Sequence, residues 1–404
     1  MRIAMFTNNY KPYMGGVPIS VDHLSKALRE LGHEVYVFAP TYKEQEEEEY
    51  VIRYPSFPVT VAGAPIPNVL TRLFEEKVQE LAIEVIHVHH PALVGNVALH
   101  LRKKYGIPVI FTYHTRYEEY LHYVRPLTLL ENGTGFVEKY LTWYCNQCDA
   151  IVAPTAGMKR YLESRQINPP VNVLPTGIPI EGFTPSKELV QSITEQYGKD
   201  VDYLFCTVSR MAKEKNIEFQ LRGLALLKKE LQGKQKNFRY LLIGDGPQLQ
   251  ELKALTRRLD LEKEVVFVGK VENTLISAYL KACDLFVFSS KSETQGIVLL
   301  EAMAVGKPIV AVKASGVEDI VVDEVTGYMT TEDEIAWKEK ILKIVETPMK
   351  GESMGKAAQN IAFGYEERRI ALAAVDCYQR AIHRKSIYKR KDSWLQRYSI
   401  SSLL

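Results

Sequence analysis

The sequence predicts an α/β protein made of two doubly wound parallel-sheet domains, and three observations support this. Strand-like apolar runs alternate with amphipathic helical segments along most of the chain, which is typical of parallel sheets. The chain has 404 residues, enough to bury two cores. A turn-rich stretch, residues 176–185, interrupts the alternation and has the composition of an interdomain linker.

The first domain is predicted from short runs of apolar and β-branched residues. The helix after the first strand, Ser20–Leu31, has apolar residues at helical spacing. The predicted strands are Ile3–Thr7, Glu34–Ala39, Val85–Val88, Val109–Thr112, Ile151–Ala153 and Val171–Leu174.

The second domain repeats this architecture. We place the domain boundaries at residues 1–180 and 181–364, and residues 365–404 are expected to form a helix that returns to the first domain and carries a basic tail. In such sheets ligands bind beyond the carboxyl ends of the strands, so two domains facing each other predict a cleft. The predicted strands are Tyr203–Val208, Tyr240–Ile243, Val265–Val268, Leu285–Phe288 and Ile309–Ala311.

Composition excludes several classes of protein. The formal net charge is only +2, which argues against nucleic-acid binding. No apolar run approaches the roughly 20 residues that span a bilayer. The first strand is ended at once by Asn8-Asn9, unlike a signal peptide. Five scattered cysteines predict reduced thiols in a cytoplasmic protein.

The most informative run is residues 292–301, in which Glu293 and Glu301 bracket a glycine and an apolar segment. It follows a predicted strand and reads as a loop, a turn at Gly296 and a helix opening at Ile297. The first amides of that helix favour an anion, and ionised carboxylates accept hydrogen bonds from hydroxyl groups. An ordinary acidic helix cap would explain the run equally well by itself.

Two further segments lie where strands meet loops. Adjacent glycines precede Val17 after the first strand, and the amides of Gly16 and Val17 can approach a phosphate closely. Arg210 and Lys215 follow the strand Tyr203–Val208, where they can neutralise a diphosphate. Each segment alone is also compatible with an ordinary turn or a solvated charged loop.

Histidines and cysteines offer other candidate sites. His114 ends the strand Val109–Thr112 and is either an edge residue with a satisfied ring or a hydrogen-bond donor to a substrate in the cleft. The run 87–90 contains three histidines, but alternation sends neighbouring side chains to opposite faces, and we expect no metal there. Cys145 and Cys148 fall in a helical pattern without a second pair, which favours helix packing over zinc or redox chemistry.

These residues, in this order, resemble the GT-B retaining glycosyltransferases that use nucleotide-sugar donors, over essentially the whole chain. The resemblance implies two Rossmann-like domains, with the acceptor and the membrane at the first and the nucleotide sugar at the second. It implies that Glu301 holds the ribose hydroxyls, Glu293 a donor-sugar hydroxyl and His114 the sugar. Arg210 and Lys215 would stabilise the diphosphate leaving group. The remaining implied donor contacts are Gly16, Val17, Gln295, Gly296 and Ile297.

A departure at Thr294-Gln295, where many members carry Phe or Pro before the glycine, points to a subgroup. Together with the aromatic and charged run 112–123, it looks like the bacterial 1,2-diacylglycerol 3-α-glucosyltransferases. That similarity implies glucose transfer from UDP-glucose to diacylglycerol at an anionic membrane surface, by a peripheral protein on the cytoplasmic face. No cofactor and no metal are expected, because cationic side chains and helix amides neutralise the diphosphate.

Other acceptors stay open: a polysaccharide, an inositol phosphate or a thiol precursor. So do a non-catalytic two-domain sugar-binding protein and, less favoured, a nucleotide-sugar epimerase of the same fold. The oligomeric state and the donor's base and sugar are not fixed by the residues.

Three segments bear on the membrane. The last 24 residues carry six basic residues against one acid, Asp392, with aromatic side chains between them, which favours an anionic lipid surface or a frayed basic tail. Residues 70–78 have apolar side chains at helical spacing and are expected to pack in the core. The acidic run Glu44–Glu49 is expected to be a solvated loop.

Overall fold

The computed structural model describes residues 1–13, 15–61, 64–116, 133–180 and 183–397. The chain divides into two compact units. The first comprises Met1–Gly177 together with the chain from Glu367 onward, and the second comprises Ile178–Glu366. The sequence analysis set the corresponding boundaries at residues 180 and 364.

The first unit contains a seven-stranded parallel sheet and a separate antiparallel hairpin. The sheet order is β3-β2-β1-β6-β7-β8-β9, and the hairpin is β4-β5. The strands are β1 Arg2–Phe6, β2 Glu34–Pro40, β3 Val51–Tyr54, β4 Ser56–Val61, β5 Ala64–Pro67, β6 Val85–Val88, β7 Val109–Thr112, β8 Ala150–Ala153 and β9 Val171–Val173. The helices up to the end of this stretch are α1 Gly16–Glu30, α2 Leu73–Glu80, α3 Val94–Tyr105, α4 Gly133–Gln147 and α5 Ala156–Glu163.

The second unit contains a six-stranded parallel sheet in the order β12-β11-β10-β13-β14-β15. The strands are β10 Tyr203–Val208, β11 Phe238–Ile243, β12 Val265–Gly269, β13 Leu285–Phe288, β14 Ile309–Val312 and β15 Gly327–Thr330. The helices are α6 Lys187–Tyr197, α7 Ile217–Gly233, α8 Leu249–Arg258, α9 Asn273–Ala282, α10 Ile297–Ala304, α11 Glu334–Val345 and α12 Pro348–Ala362. The last helix, α13 Glu367–Arg397, belongs to the first unit.

Each sheet is covered on both faces, as the near-continuous apolar strands require. In the first unit, one face packs an aromatic cluster around Phe6, Phe38 and Phe74. The other face packs α1 together with Ala374 and Tyr378 of α13. The fully buried Trp337 packs beside Phe219 in the second unit. The predicted class, two doubly wound α/β domains, is confirmed.

The predicted strands are present, but the prediction omitted the edge strands β3 and β15 and the hairpin β4-β5. These strands are only four to six residues long, so their sequence signal is weak. The expectation for residues 70–78 was wrong for Leu70, which is 89% exposed, whereas Phe74 and Val78 are buried. Among the described residues, no helix is both long enough and apolar enough to cross a membrane.

Candidate active site

Two side chains of the second unit, Lys215 and Glu293, form an ion pair. Lys215 Nζ lies 2.5 Å from Glu293 Oε1, and the side chains are only 19% and 16% exposed. Burial opposes charge on Glu293, but the Lys215 ammonium and hydrogen bonds from Lys215 and Ser290 outweigh it and lower the pKa of Glu293. The carboxylate is therefore ionised at neutral pH, next to a cation. The sequence predicts separate roles for these two residues, and their contact was not predicted.

The loop that carries Lys215 is fixed by the segment that follows the neighbouring strand. Strands β10 and β13 are hydrogen-bonded in parallel, so their carboxyl ends share one edge of the sheet. After β13, Ser289 Oγ lies 2.9 Å from the carbonyl oxygens of both Lys215 and Asn216. The amide of Lys291 donates to Glu214 O at 3.0 Å. These contacts place the Lys215 side chain beside the Glu293 loop.

A buried polar network joins α7 to Ser289, the residue that holds the Lys215 loop. Gln220 on α7 donates from Nε2 to Ser289 Oγ at 2.7 Å. Its Oε1 accepts from Thr207 Oγ1 at 2.9 Å and from Tyr240 OH at 2.6 Å. This network was not predicted, although a glutamine among the apolar residues on the buried face of a helix is a signal that could have revealed it. Satisfied buried networks of this kind hold neighbouring groups in one arrangement.

Arg210 lies on the same strand-end loop and is more exposed, at 39%. Its Nη2 atom is 3.6 Å from Glu214 Oε1. The loop rests on residues 244–246, because the Met211 amide donates to Asp245 O at 2.9 Å. A Cβ at Gly246 would lie 2.4 Å from Met211 O, so only glycine permits this approach. The Gly-Asp-Gly segment after β11 was not singled out from the sequence.

The Glu293 loop is shaped by two glycines with positive φ. Gly296, at φ 74°, precedes α10, which begins at Ile297 as predicted. Gly316, at φ 77°, packs so closely that a Cβ there would lie 2.5 Å from Glu293 O. Gln295, which precedes Gly296, is buried. The Glu293 loop runs directly into the start of α10, where the first backbone amides favour an anion.

Glu301 lies on α10, one turn beyond its start. Burial raises the pKa of its carboxyl to about 7. The two carboxylates of the run are therefore in different electrostatic states: Glu293 is held ionised by a cation, and Glu301 titrates near neutrality. The sequence pattern alone did not indicate this difference.

In the first unit, the glycine loop ends at α1, whose first residues are Gly16 and Val17. The preceding loop is anchored by Lys11, which lies 2.6 Å from Asp22 and 2.9 Å from Glu48. The acidic run 44–49 is therefore not simply solvated, since Glu48 accepts an ion pair. Among the described residues, no side chain caps the start of α1.

His114 follows β7 and contacts a second histidine. Its Nε2 atom lies 2.8 Å from His89 Nδ1, and the rings are stacked with centroids 5.1 Å apart. Burial, followed by repulsion from neighbouring histidines, holds the pKa of His114 well below its ordinary value. At neutral pH His114 is therefore an uncharged hydrogen-bonding group.

The other histidines and the cysteines have structural surroundings. His87 and His89 share one face of β6 and its end, with ring centroids 4.3 Å apart, whereas His90 contacts the Asn8 amide. In the described ranges, no three His, Cys, Asp or Glu side chains are grouped as a metal would require. Cys145 lies on α4 and Cys148 directly follows its end, and both are buried in the core of the first unit, as the packing interpretation predicted.

Two predicted membrane segments are only partly described. Residues 117–132, which include most of the aromatic run, lie outside the described residues. So do the side chains of 386–404, with most of the basic tail. Lys385, one of the six basic residues, contacts the first unit: its Nζ atom lies 3.8 Å from Asp149 Oδ2 and 3.3 Å from Ile107 O. This lysine is therefore engaged in packing.

With this geometry established, comparison with known proteins gives the class. Residues 14–181 match the family model described as Glycosyltransferase Family 4, and residues 191–361 match the model described as Glycosyl transferases group 1. The chain belongs to this family of GT-B glycosyltransferases, as the resemblance predicted.

Individual relatives show which members of the family this chain is similar to. The chain is 30% identical over 322 residues to the alpha-monoglucosyldiacylglycerol synthase of Acholeplasma laidlawii, covering 77% of this chain and 80% of that protein. It is 29% identical over 338 residues to the Streptococcus pneumoniae protein of the same name, covering 81% and 75%. The crystal structure of Anabaena HepE in complex with UDP-glucose matches with a TM-score of 0.74 at 20% identity, covering 94% and 99%, and supports the fold.

Proposed function

We propose that this glycosyltransferase moves glucose from UDP-glucose to the 3-hydroxyl of 1,2-diacylglycerol with retention of anomeric configuration. The observation that carries the reaction is the Lys215–Glu293 pair at the shared edge of β10 and β13, with Arg210 on the same loop. The names of the two relatives at 29% and 30% identity support the acceptor. The UDP-glucose complex of HepE supports the donor.

In this proposal the leaving UDP is stabilised by groups already held in place. Lys215 and Arg210 provide positive charge, and the amides of Gln295, Gly296 and Ile297 provide donors where the phosphate charge develops. Glu301 accepts from the ribose hydroxyls and Glu293 from a sugar hydroxyl. In the first unit, the Gly16 and Val17 amides contact the diphosphate and neutral His114 hydrogen-bonds the sugar.

Retention follows from attack on the face from which UDP departs. The acceptor hydroxyl forms the new bond to the anomeric carbon as the bond to the phosphate oxygen breaks, and that oxygen takes the hydroxyl proton. This path needs no enzyme nucleophile and, because the cations are protein side chains, no metal. In this proposal the enzyme acts as a peripheral protein at the inner face of the cell membrane, where it meets diacylglycerol.

The test is an assay of the purified protein with UDP-glucose and diacylglycerol in anionic vesicles. We expect UDP release and α-monoglucosyldiacylglycerol, with far less turnover for UDP-galactose and none without lipid. Transfer to a soluble acceptor without lipid would reject the acceptor and favour a different member of the family.

A matched pair of variants tests the site itself. Lys215→Ala should abolish transfer, whereas Lys213→Ala, in the same short turn but exposed, should retain it. Equal activity of the two variants would contradict the assigned role of Lys215.

A further inference from the structure

A small cavity beside His89 in the first unit is not used by the proposed reaction. About 10 Å³ is open there to the centre of a water molecule, which is room for one water. Its lining combines apolar residues, such as Leu24, Val152 and Ile370, with the polar residues Ser20, His89, Thr112, Thr176 and Glu367. The cavity therefore offers polar partners to a water on part of its wall.

His89 has an unsatisfied ring nitrogen at this place. The side chain is 1% exposed, and its Nδ1 atom is engaged with His114 Nε2 at 2.8 Å. Within the described part of the chain, His89 Nε2 has no hydrogen-bond partner. A buried nitrogen of this kind ordinarily bonds to protein or to ordered water, so we expect it to have a hydrogen-bond partner in the cavity.

Thr112, which also lines the cavity, is already part of a hydrogen-bonded chain. Thr112 Oγ1 lies 2.6 Å from His87 Nε2, and His87 Nδ1 lies 2.7 Å from Tyr378 OH on α13. Burial lowers the pKa of His87 to about 3, so the ring is neutral and has one donor and one acceptor nitrogen. A hydrogen bond at one nitrogen therefore sets the role of the other.

We propose that one ordered water bonds to His89 Nε2 and Thr112 Oγ1 and completes a chain from Tyr378 through His87, Thr112, the water and His89 to His114. The chain fixes the tautomer and ring orientation of His114. His89, Thr112 and Tyr378 are thus positioning residues, and their effect on transfer rests on the proposed contact of His114 with the donor sugar. The water itself and the tautomer do not depend on that contact.

The first test reads the tautomer directly. Full-length protein with ¹⁵N-labelled histidine is compared with its Thr112→Val and Tyr378→Phe variants by long-range ¹H–¹⁵N correlation, with His114→Gln assigning the signal. We expect one neutral tautomer of His114 in the wild type and a mixture in both variants. His100→Ala, an exposed histidine on α3, should leave the His114 signal unchanged. An unchanged His114 signal in both chain variants would overturn the proposal.

The second test reads catalysis and the water. Thr112→Val and Tyr378→Phe should each lower kcat roughly threefold to tenfold, the value of one neutral hydrogen bond, with UDP affinity unchanged. A crystal structure should show one water within hydrogen-bond distance of His89 Nε2. A dry cavity would reject the proposal even if glucose transfer is confirmed, and an inactive wild type with the expected spectra would instead reject only the proposed function.

Discussion

At the scale of single residues, the Lys215–Glu293 pair is the feature on which the proposed donor binding depends. A sugar hydroxyl that bonds to Glu293 meets a carboxylate already held by an ammonium group 2.5 Å away. The ammonium, together with a hydrogen bond from Ser290, keeps the carboxylate ionised. In the proposed function, the pair holds the carboxylate ready for a sugar hydroxyl.

Glu293→Ala should lower kcat/KM by about 100-fold to 1000-fold while the fold persists, because a preorganised acceptor and the partner of Lys215 are lost together. Glu318→Ala, an exposed carboxylate in the same unit, is the control and should behave as wild type. The measurement is steady-state transfer alongside circular dichroism. Retained turnover in the Glu293 variant would refute its contact with the sugar.

Glu301 gives a pH dependence with a definite sign. Only its ionised form accepts hydrogen bonds from both ribose hydroxyls, and its pKa is raised to about 7, so donor KM should rise as pH falls through 7. Because the folded-state pKa is raised, the contribution of this carboxyl to folding stability is fully present below its ordinary pKa, declines as pH rises toward 7, and is lost above 7. Glu301→Gln should therefore bind UDP more weakly yet have a higher Tm than wild type at pH 8. A KM that is independent of pH between 6 and 8 would contradict the assignment.

The source of positive charge gives a further prediction. Because Arg210, Lys215 and backbone amides face the diphosphate in the proposed site, transfer should continue undiminished in EDTA. The assay compares initial rates before and after chelation, with and without added Mg²⁺. Complete loss of activity, restored by a divalent cation, would show that the side chains do not suffice.

At the scale of elements, the loop between β13 and α10 depends on a neighbour that is remote in sequence. Gly316→Ala should destabilise the protein by about 1 to 3 kcal/mol, since φ is positive and the new Cβ would press on Glu293 O. UDP affinity should fall as well, because the displaced backbone carries Glu293 and Gln295. Gly233→Ala, in open space at the end of α7, should not destabilise the protein in differential scanning calorimetry and should leave UDP affinity unchanged in isothermal titration calorimetry. Equal UDP affinity in the two variants would count against the support by Gly316.

Elements with strong periodicity were predictable, and those defined by partners were not. Strands such as β10 carry their own apolar signal, and the turn at Gly296 and the start of α10 followed from the local pattern. The contact of Gly316 with Glu293 and the Gln220 network join segments far apart in sequence. Local sequence patterns indicate which residues end a strand, but the distances between loops are set by the packing of segments that are far apart in sequence.

At the scale of the whole molecule, α13 joins the far end of the chain to the first unit. Ala374 on this helix is fully buried, whereas Leu372 is half exposed. Ala374→Glu should therefore destabilise the first unit by roughly 3 kcal/mol or more, because it buries an unpaired charge. Leu372→Glu is the matched control and should be tolerated. Limited proteolysis followed by mass spectrometry should place the new cuts of the Ala374 variant in residues 1–177, and cuts confined to the second unit would contradict this.

The return of α13 also constrains the order in which the two units can fold during synthesis. Strands β1 to β9 emerge first, yet Ala374 and Tyr378, which pack in the core on one face of β1, are made only after the whole second unit. The second unit has all of its strands and helices by residue 366. During synthesis, the later-made half can therefore close its core before the earlier-made half does, reversing the usual N-terminal-first sequence of folding.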